Sequence, residues 1–120
     1  MATILAVDDS LSIRQMVTFV LKEAGYEVID ASDGVEALAI AEGRQVDLVL
    51  TDLNMPRMDG IELIKRLRRN AGYRYTPLLM LTTESSTEKK QQGREAGATG
   101  WIVKPFDPDQ LTRMIGKILD

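Results

Sequence analysis

The run Leu78-Leu79-Met80-Leu81-Thr82 decides the fold class. Consecutive apolar side chains leave neither face for water, so a strand built from them is covered on both sides, as in a parallel sheet between two helical layers. Similar runs stand at Thr3 to Val7, Asp47 to Thr51 and Trp101 to Val103. A further run, Tyr26 to Asp30, carries Glu27 and Asp30 and reads as an edge strand. Longer segments separate these runs, and that alternation predicts an α/β domain.

The longer segments carry helix signals. Ser10 caps a first helix whose apolar residues Ile13, Met16, Val17, Val20, Leu21 and Ala24 share one face, and Gly25 ends it. Asp33 and Asp59 start helices over 34–42 and 60–69. Asp107 as N-cap, Pro108 as first helical residue and Gln110 as capping-box partner open the last helix, with the stripe Leu111, Met114, Ile115, Ile118 and Leu119. The fourth segment differs, because Glu84 to Glu95 contains no hydrophobic residue. A helix there buries little and docks weakly, so it is either a plain solvated helix or an element that moves.

A chain of 120 residues suits one domain, 1–120, and is too short for a second, output domain. It has no apolar run of about 18 residues and no signal-peptide pattern, so a cytoplasmic location away from membranes is expected. With no cysteine there is no disulfide, thiol catalysis or thiolate metal site, and with no histidine the commonest general base is missing. Carboxylates, hydroxyls and lysine remain, and they suit a hard cation such as Mg²⁺. A net charge of −3 argues against a phosphate-backbone footprint. Lys65, Arg66, Arg68 and Arg69 read as the solvated face of a helix whose apolar side is Ile61, Ile64 and Leu67, so no nucleic-acid partner is expected.

Functional groups of an open parallel sheet gather beyond the carboxyl ends of its strands. That rule collects Asp8 and Asp9 after the first strand, Asp52 after the third, Thr82 and Thr83 at the end of the fourth, and Lys104 after the fifth. Singly these are ordinary: an Asp pair before a helix is a solvated N-terminus and a lone Asp after a strand a turn residue. Together, three carboxylates need a cation to offset their repulsion, and Mg²⁺ fits the donor set. A carboxylate held this way can attack phosphorus while metal and lysine neutralise the transferring oxygens, and Asp52, alone at its strand end, is the natural nucleophile.

The segments Val7-Asp8-Asp9-Ser10, Thr51-Asp52-Leu53-Asn54-Met55-Pro56 with Met58-Asp59-Gly60, Leu81-Thr82 and Val103-Lys104-Pro105-Phe106 resemble the response-regulator receiver family, specifically its single-domain chemotaxis type. The likeness runs the whole chain. It implies a flavodoxin-like (βα)5 doubly wound sandwich with a five-stranded parallel sheet ordered 2-1-3-4-5, an order that spacing alone does not give. It also implies that Asp52 accepts a phosphoryl group from the phosphohistidine of a chemotaxis-type histidine kinase. Asp9, Asp52 and the Asn54 carbonyl would hold Mg²⁺ directly, Asp8 would act through water, Lys104 would contact the phosphoryl oxygens and Thr82 would turn inward to them. Lys104-Pro105 is expected to be cis.

Further roles follow from the same resemblance. Trp101 occupies the position of the aromatic residue that rotates with the threonine, although tyrosine or phenylalanine is more usual there. Asn54 and Glu84 match the pattern associated with rapid phosphate loss. Thr83 stands where a smaller residue is frequent and would narrow access to Asp52. The added charge of a phosphoryl group biases nearby structure, so displacement is expected in the polar fourth helix, with that helix, the Trp101 strand and the last helix as output surface. Expected partners are the kinase, a flagellar motor switch protein or a histidine phosphotransfer protein, and a phosphatase; the chain is expected to be monomeric. It would be a signalling protein that catalyses only its own phosphorylation and dephosphorylation, and phosphate sink or relay are the alternatives within the family. A flavodoxin-like cofactor domain would need a phosphate cradle where Asp8 and Asp9 stand. A small aspartate-nucleophile phosphohydrolase would want an acid at Asn54.

Overall fold

The computed structural model describes residues 1–120. Strands β1 (Thr3–Val7), β2 (Glu27–Ala31), β3 (Leu48–Thr51), β4 (Leu78–Thr82) and β5 (Gly100–Val103) alternate with helices α1 (Leu11–Glu23), α2 (Gly34–Gly43), α3 (Gly60–Arg69), α4 (Thr87–Ala96) and α5 (Pro108–Leu119). A short 3-10 turn, Ala71–Tyr73, follows α3. All strand pairs are parallel and the order is β2-β1-β3-β4-β5, the flavodoxin-like arrangement.

Period-two geometry turns each apolar run into two half-layers. Leu78 and Met80 join Leu5, Val7 and Val49 against α2 and α3, while Leu79 and Leu81 join Ile4, Ala6, Leu48 and Leu50 against Val17 and Leu21 of α1 and Leu111 and Ile115 of α5. The sheet is therefore covered on both faces, and the middle strands are buried throughout. No helix is long and apolar enough to cross a membrane.

Helix starts fall where the capping residues place them. Ser10, Asp33, Asp59, Ser86 and Asp107 each accept a bond from a backbone N–H of the first turn. Gly25, at φ 98°, turns the chain out of α1.

Several expectations need correction. β5 is the second edge strand and is only partly covered, because it pairs with β4 alone and lies under a polar helix. Met16 and Met114 lie 49% and 40% exposed, so the buried stripes of α1 and α5 are narrower than their apolar ones. Asp107 accepts bonds from the N–H groups of Asp109 and Gln110, but no bond returns from the Gln110 side chain. Glu84 and Ser85 precede α4 rather than belong to it.

Arg68 is the largest departure. Its guanidinium turns off the solvated face and donates to the carbonyls of Tyr73, Thr76 and Gly97 at 2.7, 2.7 and 2.8 Å. One side chain thus ties the end of α3 to the entry of β4 and the exit of α4.

Candidate functional site

Parallel strands end on one edge, and that edge assembles the site. Asp8 follows β1, Asp52 follows β3, Thr82 closes β4 and Lys104 follows β5. The carboxylate oxygens of Asp8, Asp9 and Asp52 lie within 4.8 Å of one another. Lys104 reaches back between two of them: its Nζ donates to Asp8 Oδ2 at 2.7 Å and stands 3.5 Å from Asp52 Oδ2. The Lys104–Pro105 bond is cis.

Backbone donors hold the carboxylates. The Ser10 N–H donates to Asp8 Oδ1 at 2.9 Å and the Leu53 N–H to Asp52 Oδ1 at 2.8 Å. Burial pushes the Asp52 carboxyl above the ordinary carboxylate range; the Lys104 charge opposes this and the Asp8 charge adds to it. Asp9 is exposed. Three acids against one lysine leave an excess of negative charge with oxygen donors only, the chemistry of a hard divalent cation rather than of zinc or copper.

Close backbone packing supports Asp52 from behind. A Cβ on Gly60 would stand 2.2 Å from the Asp52 carbonyl oxygen, so only glycine lets α3 start there. The Gly60 N–H donates to the Leu53 carbonyl at 2.8 Å, closing the loop that carries Asn54. Asn54 is exposed on that loop and makes no hydrogen bond to Asp52.

On the far side, Thr82 is fully buried and its Oγ1 accepts from the Glu84 N–H at 3.3 Å. The Trp101 indole N–H donates to the Glu84 carbonyl at 2.8 Å, and its ring lies against Gly93 of α4. The Glu84 carboxylate accepts from the Ser86 N–H, and the Ser86 backbone and hydroxyl hold it below the ordinary range. Thr83 sits at the rim of an apolar recess with Ile13, Met16, Lys104, Pro105 and Phe106.

Two cations at this edge escaped sequence reasoning. Arg14 donates to the Asp8 carbonyl at 2.7 Å and to Asp30 Oδ2 at 2.8 Å, tying the acidic turn to β2. Arg57 pairs with Asp33, the N-cap of α2. Both pairings depend on which strands are neighbours, and spacing along the chain carries no signal of that.

The comparisons agree with this geometry. The chemotaxis protein CheY4 of Vibrio cholerae is 54% identical, with 98% of each chain covered and a TM-score of 0.95. The phosphate regulon transcriptional regulatory protein PhoB of Pseudomonas aeruginosa is 40% identical over 98% of this chain and 51% of its own length. This chain spans about half the length of the curated relatives it matches. The receiver domain of the sensor histidine kinase PA1611 of Pseudomonas aeruginosa PAO1, 26% identical over 98% of this chain and 97% of its own at a TM-score of 0.91, was solved with a magnesium ion coordinated in the active site cleft. Residues 4–116 match the response regulator receiver domain, and with the strand order and the acidic edge already described, the chain belongs to that family.

Proposed function

We propose that Asp52 is the phosphoacceptor of a two-component response regulator serving chemotaxis and flagellar motor control. The observation that carries this reading is Lys104 set between Asp8 and Asp52, beside a third carboxylate, at the common edge of the sheet. A carboxylate oxygen of Asp52 attacks the phosphorus of a phosphohistidine on a histidine kinase; the P–N bond breaks, its electron pair stays on that nitrogen, and the imidazole, carrying a proton on its other ring nitrogen, leaves as the neutral base. Lys104 meets the equatorial oxygens, and the Thr82 hydroxyl, which accepts from the Glu84 N–H and keeps its own O–H free to donate, turns to them once the phosphoryl group is in place. Asp8, Asp9, Asp52 and the Asn54 carbonyl would hold Mg²⁺, which would supply charge neutralisation during the transfer. Asn54 and Glu84 set the lifetime of the aspartyl phosphate, and Trp101 carries the change to α4, β5 and α5.

The likeness to CheY4 over nearly the whole of both chains supports a single receiver domain, 1–120, acting in the cytoplasm on a motor switch protein. The PhoB likeness favours a second reading, in which the same site controls a transcriptional regulator. The test is intact-mass analysis after Mg²⁺ and a small acyl phosphate, with Trp101 emission in parallel. A phosphoryl adduct that needs Mg²⁺, is absent in Asp52→Asn and is strongly slowed in Lys104→Ala is expected. No adduct on the native chain, with donor or kinase, overturns the reading. Capture of a motor switch protein or a histidine phosphotransfer protein by the phosphorylated form separates motor output from relay.

A further inference from the structure

The loop from Leu53 to Asp59 joins Asp52 to α3 and carries Asn54. Within it Arg57 has φ 69°, the one non-glycine residue of the chain in the left-handed region. That conformation is disfavoured wherever a Cβ is present, and such outliers gather where surrounding contacts impose them for a purpose.

The imposing contacts come from α2. The Arg57 guanidinium pairs with Asp33 Oδ2, while Asp33 Oδ1 accepts from the Glu36 N–H at 2.8 Å. Arg57 is 65% exposed but Asp33 only 10%, so the acid is covered by its neighbours, and the Glu36 N–H and the Arg57 guanidinium hold its carboxyl below the ordinary range. The next residue adds a second contact: a Cβ on Gly34 would lie 3.0 Å from Met58 Cβ, Cγ and carbonyl oxygen. The loop is thus pressed onto the start of α2 by two successive residues, and its far end is closed by Gly60 on Asp52. Asn54 has no hydrogen bond of its own to fix it, so its carbonyl takes its position from these anchors.

Resting on the reading of the acidic edge as a Mg²⁺ site, we propose that Arg57 and Asp33 form a positioning pair for that site, holding the Asn54 carbonyl where a cation can use it. α2 then contributes to metal affinity without touching the metal.

The test is an Mg²⁺ titration of the full chain followed by amide NMR shifts. Arg57→Asn accepts the left-handed backbone but lacks the guanidinium; Asp33→Asn keeps an oxygen for the Glu36 cap but loses the charge. Each is expected to weaken Mg²⁺ binding by about tenfold, as supporting residues of metal sites do. The double variant should be no weaker than the poorer single, because both changes remove one contact. Metal-free melting of Arg57→Asn should change little, since relief of backbone strain offsets the lost pair. Affinities within about twofold of the native value, or losses that multiply in the double variant, overturn the proposal. A native chain that binds no Mg²⁺ instead refutes the reading on which it rests.

Discussion

Gly93 is where the polar helix α4 meets the Trp101 ring, and replacing it with alanine sets two effects of opposite sign against each other. A Cβ there would lie 2.6 Å from Trp101 Cζ3 and 3.1 Å from Cε3. Carbon pairs prefer about 3.5–4.0 Å, so the ring or the helix must give by about 1 Å. Alanine gains about 1 kcal/mol over glycine in a helix interior, whereas overpacking costs about 1–3 kcal/mol. In the native chain Gly93→Ala should therefore lose about 0–2 kcal/mol. In a Trp101→Ala background the overlap is gone and the same change should gain about 1 kcal/mol. The cycle is read by urea denaturation followed by circular dichroism, with a coupling of about 1–3 kcal/mol expected. Trp101 is the sole tryptophan, so its emission should also shift toward that of a wetter indole in Gly93→Ala. Equal stabilisation in both backgrounds would show that the ring does not lie under Gly93, and the docking of α4 would need another account.

Asp52→Asn should stabilise the metal-free chain at neutral pH. Burial raises the Asp52 pKa in the fold, so the favourable contribution of its protonated form is present below the ordinary carboxylate range and lost as pH rises through the raised value. The gap between variant and native melting curves should open over that window; coincident curves at neutral pH refute it. Gly60→Ala puts a methyl 2.2 Å from the Asp52 carbonyl oxygen, a backbone atom that cannot swing aside, and should cost about 3 kcal/mol with loss of the Mg²⁺ response. A native melting temperature would contradict that. Tyr73 is buried, its hydroxyl accepting from the Val46 N–H and lying 2.7 Å from the Ala41 and Arg44 carbonyls, so Tyr73→Phe should lose about 1–3 kcal/mol by denaturation. Burial raises the Tyr73 pKa, so its contribution is full below the ordinary phenol range and fades as pH climbs through the raised value. The difference between native and Tyr73→Phe chains should shrink there, and an unchanged gap would argue against the buried phenol.

The strands were legible because each apolar run feeds two cores, as Leu78 and Met80 on one side and Leu79 and Leu81 on the other do. Their limits slipped by one residue where neighbouring elements claim the backbone. The Tyr26 N–H donates to the Leu21 carbonyl at the end of α1, which delays β2 to Glu27. Asp8, Asp52, Thr82 and Lys104 were legible as a group because parallel strands share one carboxyl edge. Strand order was not, since spacing says nothing about neighbours. Arg68 was misread for a related reason: an arginine on a helix surface stays solvated unless other elements bring carbonyls to it, and Gly97 arrives from a turn far along the chain.

The same contacts explain how a helix whose sole apolar residue is Ala96 stays docked. α4 buries only Gly93 and Ala96, so hydrophobic burial contributes little to holding it. Directional bonds at its two ends do the rest. At the exit, Arg68 donates through two nitrogens to the Gly97 carbonyl at 3.0 and 2.8 Å. At the entry, the residue Glu84 is held from both sides, its N–H by Thr82 Oγ1 and its carbonyl by the Trp101 indole. Under the proposed switch, a rotation that carries Thr82 Oγ1 away from the Glu84 N–H breaks the first of these bonds, which leaves the entry resting on the second. Segments held by few buried contacts open at low cost, so the entry of α4 should swing while its exit stays pinned. Under the proposed switch, this sparse apolar contact is what lets a short hydroxyl rotation at Thr82 move a helix, and a leucine stripe in its place would hold it.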